Sequence, residues 1–288
     1  MPATPPRRVE LLQVRVPNVP PFVLALETQV DRYIAPSIRT YGLWEAAETE
    51  LCRCLLRPGM RVVDAGAHAG YYSVLFSHLV GAQGSVLAFE PEPANFRMLL
   101  ANLLLNNCGN VQARPQALAD GCGTGLLHLS AENAGDHRLA PAPGRRSVEV
   151  ETIDLDTALG GAPLDFIKID TQGAEPRILA GMSATLSANR ERLGCLMEFA
   201  PGLLELAGIS LDRYAAQLAA LDARVFAIAK PDRCVQMLRL SPLREGLDRL
   251  AGQLAQIGMV DVSCDVFAVF GEAAENAWLA RFRQAGVG

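Results

Sequence analysis

Two carboxylates, Asp64 and Glu90, each lie at the end of a short apolar run, and a glycine pattern stands between them. The stretch Arg61-Val62-Val63-Asp64-Ala65-Gly66-Ala67-His68-Ala69-Gly70-Tyr71-Tyr72-Ser73 reads as a strand, a tight turn and the start of a helix. Glycines let a backbone approach a ligand closely, and a new helix offers unpaired N–H groups at its positive end. A second apolar run, Ser85–Phe89, leads to Glu90, which follows Gly70 by 20 residues. In a doubly wound fold an acid at that spacing ends the second strand and accepts hydrogen bonds from both hydroxyls of a ribose.

The glycine spacing argues against a dinucleotide. A pyrophosphate binder wants G-x-G-x-x-G, whereas His68 stands here at the middle position where a glycine would admit the phosphate. S-adenosylmethionine carries no phosphate, only an amino-acid end, an adenosine and a sulfonium. Asp64 beside the turn suits an ammonium and repels a phosphate. The bland alternative is a strand-to-helix turn with no ligand; strand, loop, helix, second strand and terminal acid in order favour the ligand.

Asp170 and Glu198 close two later apolar runs in the same way. Ligands of open parallel sheets collect at the carboxyl ends of strands, so Asp64, Glu90, Asp170 and Glu198 are expected to face one crevice. If such a cofactor gives its methyl group to a hydroxyl, the site needs a held geometry, exclusion of water and a group that takes the proton. The loop Asn133-Ala134-Gly135-Asp136-His137-Arg138 supplies an acid, an imidazole and a guanidinium in succession. His137 is a candidate base, with Asp136 or Arg138 orienting substrate; a solvated hairpin tip is the equal alternative. Asp170 is the second candidate, as base, hydroxyl ligand, or magnesium ligand with Glu198. Two carboxylates are too few to assign a metal, and none is assigned.

The elements that must position these groups alternate along the chain. The 288 residues are 50% hydrophobic and 20% charged, a composition that can bury a large core. The net charge of −5 comes without a basic block, so no nucleic-acid footprint is expected. No signal peptide or membrane span is read, and seven scattered cysteines without C-x-x-C pairs point to a reducing cytoplasm. Residues 1–21 read as a poorly ordered Pro-rich lead-in, and residues 22–38 as helical. A helix over 46–56 precedes the glycine loop. Phe96, Leu99, Leu100, Leu103 and Leu104 repeat at helical spacing. A third strand follows at 111–113, then a turn at 121–125 and a two-stranded ribbon at 126–130 and 148–153. Strands at 165–170, 195–199, 224–229 and 266–270 complete the sheet, with a hairpin arm at 235–240. Strands joined by crossover helices imply a mainly parallel, doubly wound α/β sheet.

The chain resembles the FkbM family of S-adenosylmethionine-dependent methyltransferases, a branch of the class I, Rossmann-like methyltransferases. The matching residues are Gly42-Leu43-Trp44-Glu45, Val63 to Ser73, Phe89-Glu90-Pro91, Ile167 to Glu175 and Asp265 to Val269. Two departures stand out: many relatives carry Asn at the position of His68 and an acid at that of Gln172. The resemblance implies a seven-stranded sheet with an inserted β-ribbon over residues 41–270, a partly helical N-terminal extension over 1–40 and a helical tail over 271–288. It implies O-methylation of a small-molecule hydroxyl, on a sugar or natural-product scaffold. It extends to the Gly135-Asp136-His137-Arg138 run and so favours a functional loop.

The cofactor set expected on this basis is Asp64, Gly66, Ala67, His68, Gly70, Tyr71, Glu90, Pro91, Gln116, Ala117 and Asp170. Tyr41 and Trp44, in a segment folding over the cofactor, join Asn133, Arg138, Gln172 and Glu198 on the substrate side. His137, Asp170 and Asp136 are the catalytic candidates. The expected partner is a small molecule, with no nucleic acid and no membrane; a homodimer is one option for assembly. A nicotinamide-dependent oxidoreductase and a non-catalytic cofactor-binding protein are the competing readings.

Overall fold

The computed structural model describes residues 8–229, 235–258 and 262–285. It begins with an antiparallel hairpin, β1 (Val9–Val14) and β2 (Phe22–Glu27), followed by α1 (Ile34–Tyr41) and α2 (Ala46–Leu55). Strand and helix then alternate through β3 (Arg61–Ala65), α3 (Tyr71–Val80), β4 (Ser85–Phe89), α4 (Pro93–Leu105) and β5 (Val111–Arg114). An inserted sheet comprises β6 (Ala117–Leu118), β7 (Gly123–Leu129) and β8 (Arg146–Ile153). Next come α5 (Leu155–Leu159), β9 (Phe166–Ile169), α6 (Glu175–Ala180), α7 (Ser183–Ala188) and β10 (Gly194–Phe199). The chain continues through α8 (Pro201–Leu206), α9 (Leu211–Ala220), β11 (Ala223–Ala229), β12 (Gln236–Arg239), α10 (Leu243–Ala255), β13 (Cys264–Phe270) and α11 (Glu272–Gln284).

The central sheet has the order β12-β11-β13-β10-β9-β3-β4-β5. β10, β9, β3, β4 and β5 run parallel, and β13 is inserted antiparallel between β10 and β11. β9 and β10 are buried at every residue, as expected of strands covered on both faces. One face packs on the core that holds Phe76, Phe166, Phe267 and Trp278, the other on that of Ile167, Met197, Tyr214 and Leu218. The order of strands reverses between β3 and β9, and a crevice opens there at their carboxyl ends.

Local chemistry fixes where the helices begin. Glu92 caps α4 by accepting from the Asn95 N–H at 2.7 Å, with Pro93 in the first turn. Gly70 precedes α3 in a left-handed conformation, and a Cβ there would lie 2.7 Å from Leu99 Cδ1. This glycine therefore serves the packing of α3 on α4.

The sheet is the expected one with the hairpin arm hydrogen-bonded as an eighth strand, β12. Three segments differ from the sequence reading. Among the described part of the lead-in, residues 9–14 form β1, and Phe22–Glu27 is a strand rather than the start of a helix. The reason lies far away in sequence: Asn102 on α4 accepts from Ala25 N and donates to Ala25 O, while Asn106 does the same for Val23. Two side-chain amides thus satisfy the edge of β2 as a neighbouring strand would. The inserted ribbon gains a third strand, β6 beside β8, and Gly123 and Gly125 lie within β7 instead of a turn. Helix α10 follows β12 where no helix was expected. Residues 1–7 and Cys234 lie outside the described residues.

Candidate active site

β3 ends in Asp64 and Ala65, and the turn that follows is shaped by protein contacts. Gly66 has φ +85°, and a Cβ there would stand 1.9 Å from the backbone oxygen of Asp170. The two central strands can approach this closely only with a glycine at that point. His68 is also left-handed, at φ +51°, and its N–H donates to Glu90 Oε2 at 2.8 Å. Glu90 Oε1 accepts from Glu92 N–H at 2.9 Å, so the loop after β3 and the loop after β4 share one carboxylate. Burial raises Glu90 to about 7. Such a carboxylate, at the second strand end and with lone pairs to spare, fits a ribose diol.

A cavity of about 350 Å³ runs along these strand ends. It is lined by Asp64, Gly66, Ala67, His68, Tyr71, Glu90, Pro91, Gln116, Ala117 and Asp170 of the expected cofactor set. Trp44, Asn133, Gln172 and Glu198 of the expected substrate set share it, as do Asp136 and His137. Three expected residues are elsewhere. Gly70 packs under α4, and Tyr41 is 75% exposed at the end of α1, away from the cavity wall. Arg138 is buried, with its backbone bridged to His128 and its guanidinium 3.8 Å from Asp136 Oδ1. The bridge pairs Arg138 with the β7 end, turning its side chain away from the cavity that His137 faces.

The floor of the cavity is a chain of polar contacts that joins the expected residues Asp170, Gln172 and Glu198 to Lys168, Tyr72 and Glu45, to which the sequence reading gave no role. Lys168, in the middle of β9, is 2% exposed and its Nζ donates to Asp170 Oδ2 at 2.7 Å. The same Nζ lies 4.5 Å from the centre of the Tyr72 ring, and Tyr72 Oη donates to Glu45 Oε2 at 2.7 Å. On the other side, Gln172 Nε2 lies 3.2 Å from Asp170 Oδ1 and 3.0 Å from Glu198 Oε1. Burial works to raise Asp170, but the Lys168 ammonium outweighs it and holds the carboxyl below its ordinary value. Burial pushes Glu45 to about 8, Asp64 to about 6 and Glu198 well above the usual carboxylate range. Asp64, beside Lys168 in the β3–β9 register, accepts from Ser73 Oγ at 2.6 Å. A lysine between Ile167 and Ile169 was the legible signal for this network: a cation in a doubly covered strand needs a partner.

Among the described residues six non-glycine residues have positive φ, and Glu45, His68 and Gln172 of these line the cavity. Backbone strain of this kind gathers at binding sites.

The Asn133–His137 stretch is a cavity wall. Ala134 N–H donates to Val30 O at 2.9 Å, and Asn95 Nδ2 donates to Ala134 O at 3.1 Å, tying the loop to α4 and to the segment after β2. His137 Nδ1 accepts the Ser130 N–H at 3.1 Å, which places the ring proton on Nε2 and leaves no free lone pair. Burial lowers its imidazole to about 4. This geometry runs against His137 as proton acceptor. Asp136 is held by Arg145, through both its carboxylate and its carbonyl oxygen.

Among the described residues no group of three His, Cys, Asp or Glu side chains is arranged to hold a metal ion, and no helix is long and apolar enough to cross a membrane.

Parallel strands in this order, with an acid at the second strand end and a glycine turn at the first, define a class I, Rossmann-like methyltransferase. Residues 64–206 match the family model of the methyltransferase FkbM domain, and the chain belongs to the FkbM family of S-adenosylmethionine-dependent methyltransferases. It is 27% identical over 203 residues to methyltransferase sdnD of Sordaria araneosa, covering 58% of this chain and 77% of that one. It is 29% identical over 160 residues to the 31-O-demethyl-FK506 methyltransferase FkbM of Streptomyces tacrolimicus, covering 44% and 61%. The alignments with that protein and with methyltransferase 1 of Beauveria bassiana (57%) span less than two thirds of those relatives. A solved structure, the precorrin-6y C5,15-methyltransferase of Geobacter metallireducens, is similar over 78% of this chain and 87% of its own, at 15% identity and a TM-score of 0.43.

Proposed function

We propose that the protein transfers the methyl group of S-adenosylmethionine to a hydroxyl oxygen of a small molecule. The observation that carries this reading is the shared cavity: the Glu90 carboxylate and the loop of Asn133, Asp136 and His137 line one space, with the half-exposed Asp170 carboxylate at its floor. S-adenosylmethionine supplies a methyl group on a sulfonium, and the residues of the chain do the rest. Glu90 accepts the ribose hydroxyls. Asp64 and Asp170 present negative charge to the ammonium of the zwitterionic amino-acid end. Leu118, Leu127 and Leu139 offer an apolar wall beside Gln116 and Ala117 for the adenine. Trp44, from the segment ahead of β3, and the Asn133–His137 wall exclude water and orient the acceptor. A carboxylate as acidic as Asp170, held by Lys168 and Gln172, is a weak base but a good acceptor of a hydroxyl hydrogen bond.

The test is a mass-spectrometric screen of sugars and hydroxylated metabolites incubated with protein and labelled S-adenosylmethionine. The expected product gains one methyl group on oxygen. A product methylated on nitrogen or carbon, or label found only in protein or nucleic acid, would overturn the reading.

A further inference from the structure

A second cavity, of about 390 Å³, lies between the end of β2, the first turns of α4 and the inserted sheet. Its walls are apolar at Leu26, Val30, Met98 and Leu129, and Glu27, Asp31, Glu92, Arg145 and Arg146 line it at other points. It abuts the cofactor cavity, and His68 and His137 belong to both. The ring of His68 is part of the partition. Both its nitrogens are shielded from solvent and neither has a hydrogen-bond partner. Buried polar atoms without partners are rare, and a ring poised between two ligand-sized cavities is a place where a ligand completes the set.

The two base candidates read from the sequence, His137 and Asp170, are already engaged. The Nδ1 lone pair of His137 is taken by Ser130 N–H, and Asp170 is held by Lys168 and Gln172. A neutral His68 has one nitrogen with a free lone pair. Burial keeps it neutral, against the pull of Asp31, Asp170 and Glu92 nearby. Its backbone N–H, bonded to Glu90, fixes the residue beside the ribose site.

We propose that the second cavity receives the methyl acceptor, an alcohol on an apolar ring rather than a fully hydroxylated sugar, and that His68 takes the hydroxyl proton. This rests on the methyltransferase reading above. A turn of the imidazole about its χ2 bond brings a nitrogen into the cavity. The acceptor oxygen then bonds to the methyl carbon, the methyl–sulfur bond breaks with its electron pair going to sulfur, and the hydroxyl proton passes to the ring nitrogen. His68 later returns that proton to water.

The experiment uses the full chain labelled with 15N-histidine and saturated with S-adenosylhomocysteine, titrated with benzyl alcohol and, separately, with glucose. Benzyl alcohol is expected to shift the His68 ring nitrogens and leave those of His78 and His128 in place; glucose is expected to shift none. Ala94→Phe, which fills the second cavity from α4 without touching the first, is expected to abolish the response while S-adenosylhomocysteine still binds. His68→Asn, whose side chain tolerates the left-handed backbone, is expected to keep S-adenosylhomocysteine affinity in calorimetry. Unmoved His68 nitrogens, an equal response to glucose, or a response that survives Ala94→Phe overturns the proposal. So does loss of S-adenosylhomocysteine affinity in His68→Asn, which would make His68 a cofactor ligand. Failure of the wild-type chain to bind S-adenosylhomocysteine at all is a different result, and it removes the methyltransferase reading itself.

Discussion

Nζ of Lys168 lies 2.7 Å from Oδ2 of Asp170, two residues further along the chain, where β9 reaches the cavity. The pair couples a fully buried cation to the one carboxylate of the floor that remains acidic. Lys168→Met removes the counter-charge and leaves Asp170 to the effect of burial. Asp170 should then titrate upward, and cofactor affinity should fall at neutral pH and recover as pH rises. Calorimetry with S-adenosylhomocysteine between pH 6 and 9 checks this; a pH-independent affinity in the variant would show that Lys168 is structural only.

Glu90→Ala deletes the expected contact with both ribose hydroxyls and should cost about 2 to 4 kcal/mol of S-adenosylhomocysteine affinity. Glu90 also accepts two backbone N–H groups, so Glu90→Gln is the companion that keeps its shape. In the wild type the carboxyl of the free protein titrates near 7, and the charged form is the better acceptor. Affinity should therefore rise as pH passes upward through about 7. Equal affinity at pH 6 and pH 8 would sink the ribose assignment.

The ligand-free protein should lose stability as pH rises. Glu45, Asp64, Glu90 and Asp265 have folded values of about 8, 6, 7 and 7, all above their ordinary values and all raised chiefly by burial. A raised carboxyl contributes stability that is complete below its unfolded pKa and is lost as pH climbs through the folded one. The loss should fall between about pH 4 and 8, and it is read most cleanly above about pH 6.5. Asp120, Asp154 and Asp170 are shifted downward and stay silent there, and the imidazoles of His68, His78 and His137, lowered by burial, oppose the loss only below their ordinary value. A melting temperature that rises from pH 6.5 to 8.5 would contradict this account.

Trp44 lines the cavity, whereas Trp278 is 1% exposed and donates its indole N–H to Arg192 O in the core. Binding of S-adenosylhomocysteine should change the fluorescence of Trp44 alone. The full signal persisting in Trp44→Phe would remove this segment from the site.

His137→Ala should lower turnover by well under the roughly 10² to 10⁴ that a general base contributes. The loss should come from a looser Asn133–His137 wall, visible as faster proteolysis of the loop. A drop of full size with an intact loop would restore His137 as the base.

The core of this protein was readable in one dimension. The runs ending in Asp64, Glu90, Asp170 and Glu198 carry their own message, because a strand covered on both faces must be apolar and an acid at its end must face a crevice. What tertiary structure alone decided was where isolated polar groups find partners. Phe22–Glu27 is a strand because Asn102 and Asn106, some 80 residues later, bond its backbone. Tyr41 and Arg138 sit in suggestive sequence positions yet miss the cavity, and the Ser130 N–H uses the lone pair that made His137 attractive. Spacing along a chain sets which residues share a strand or a helix face. Which lone pair is occupied, and which is left free as on His68, depends on contacts between segments that no local pattern encodes.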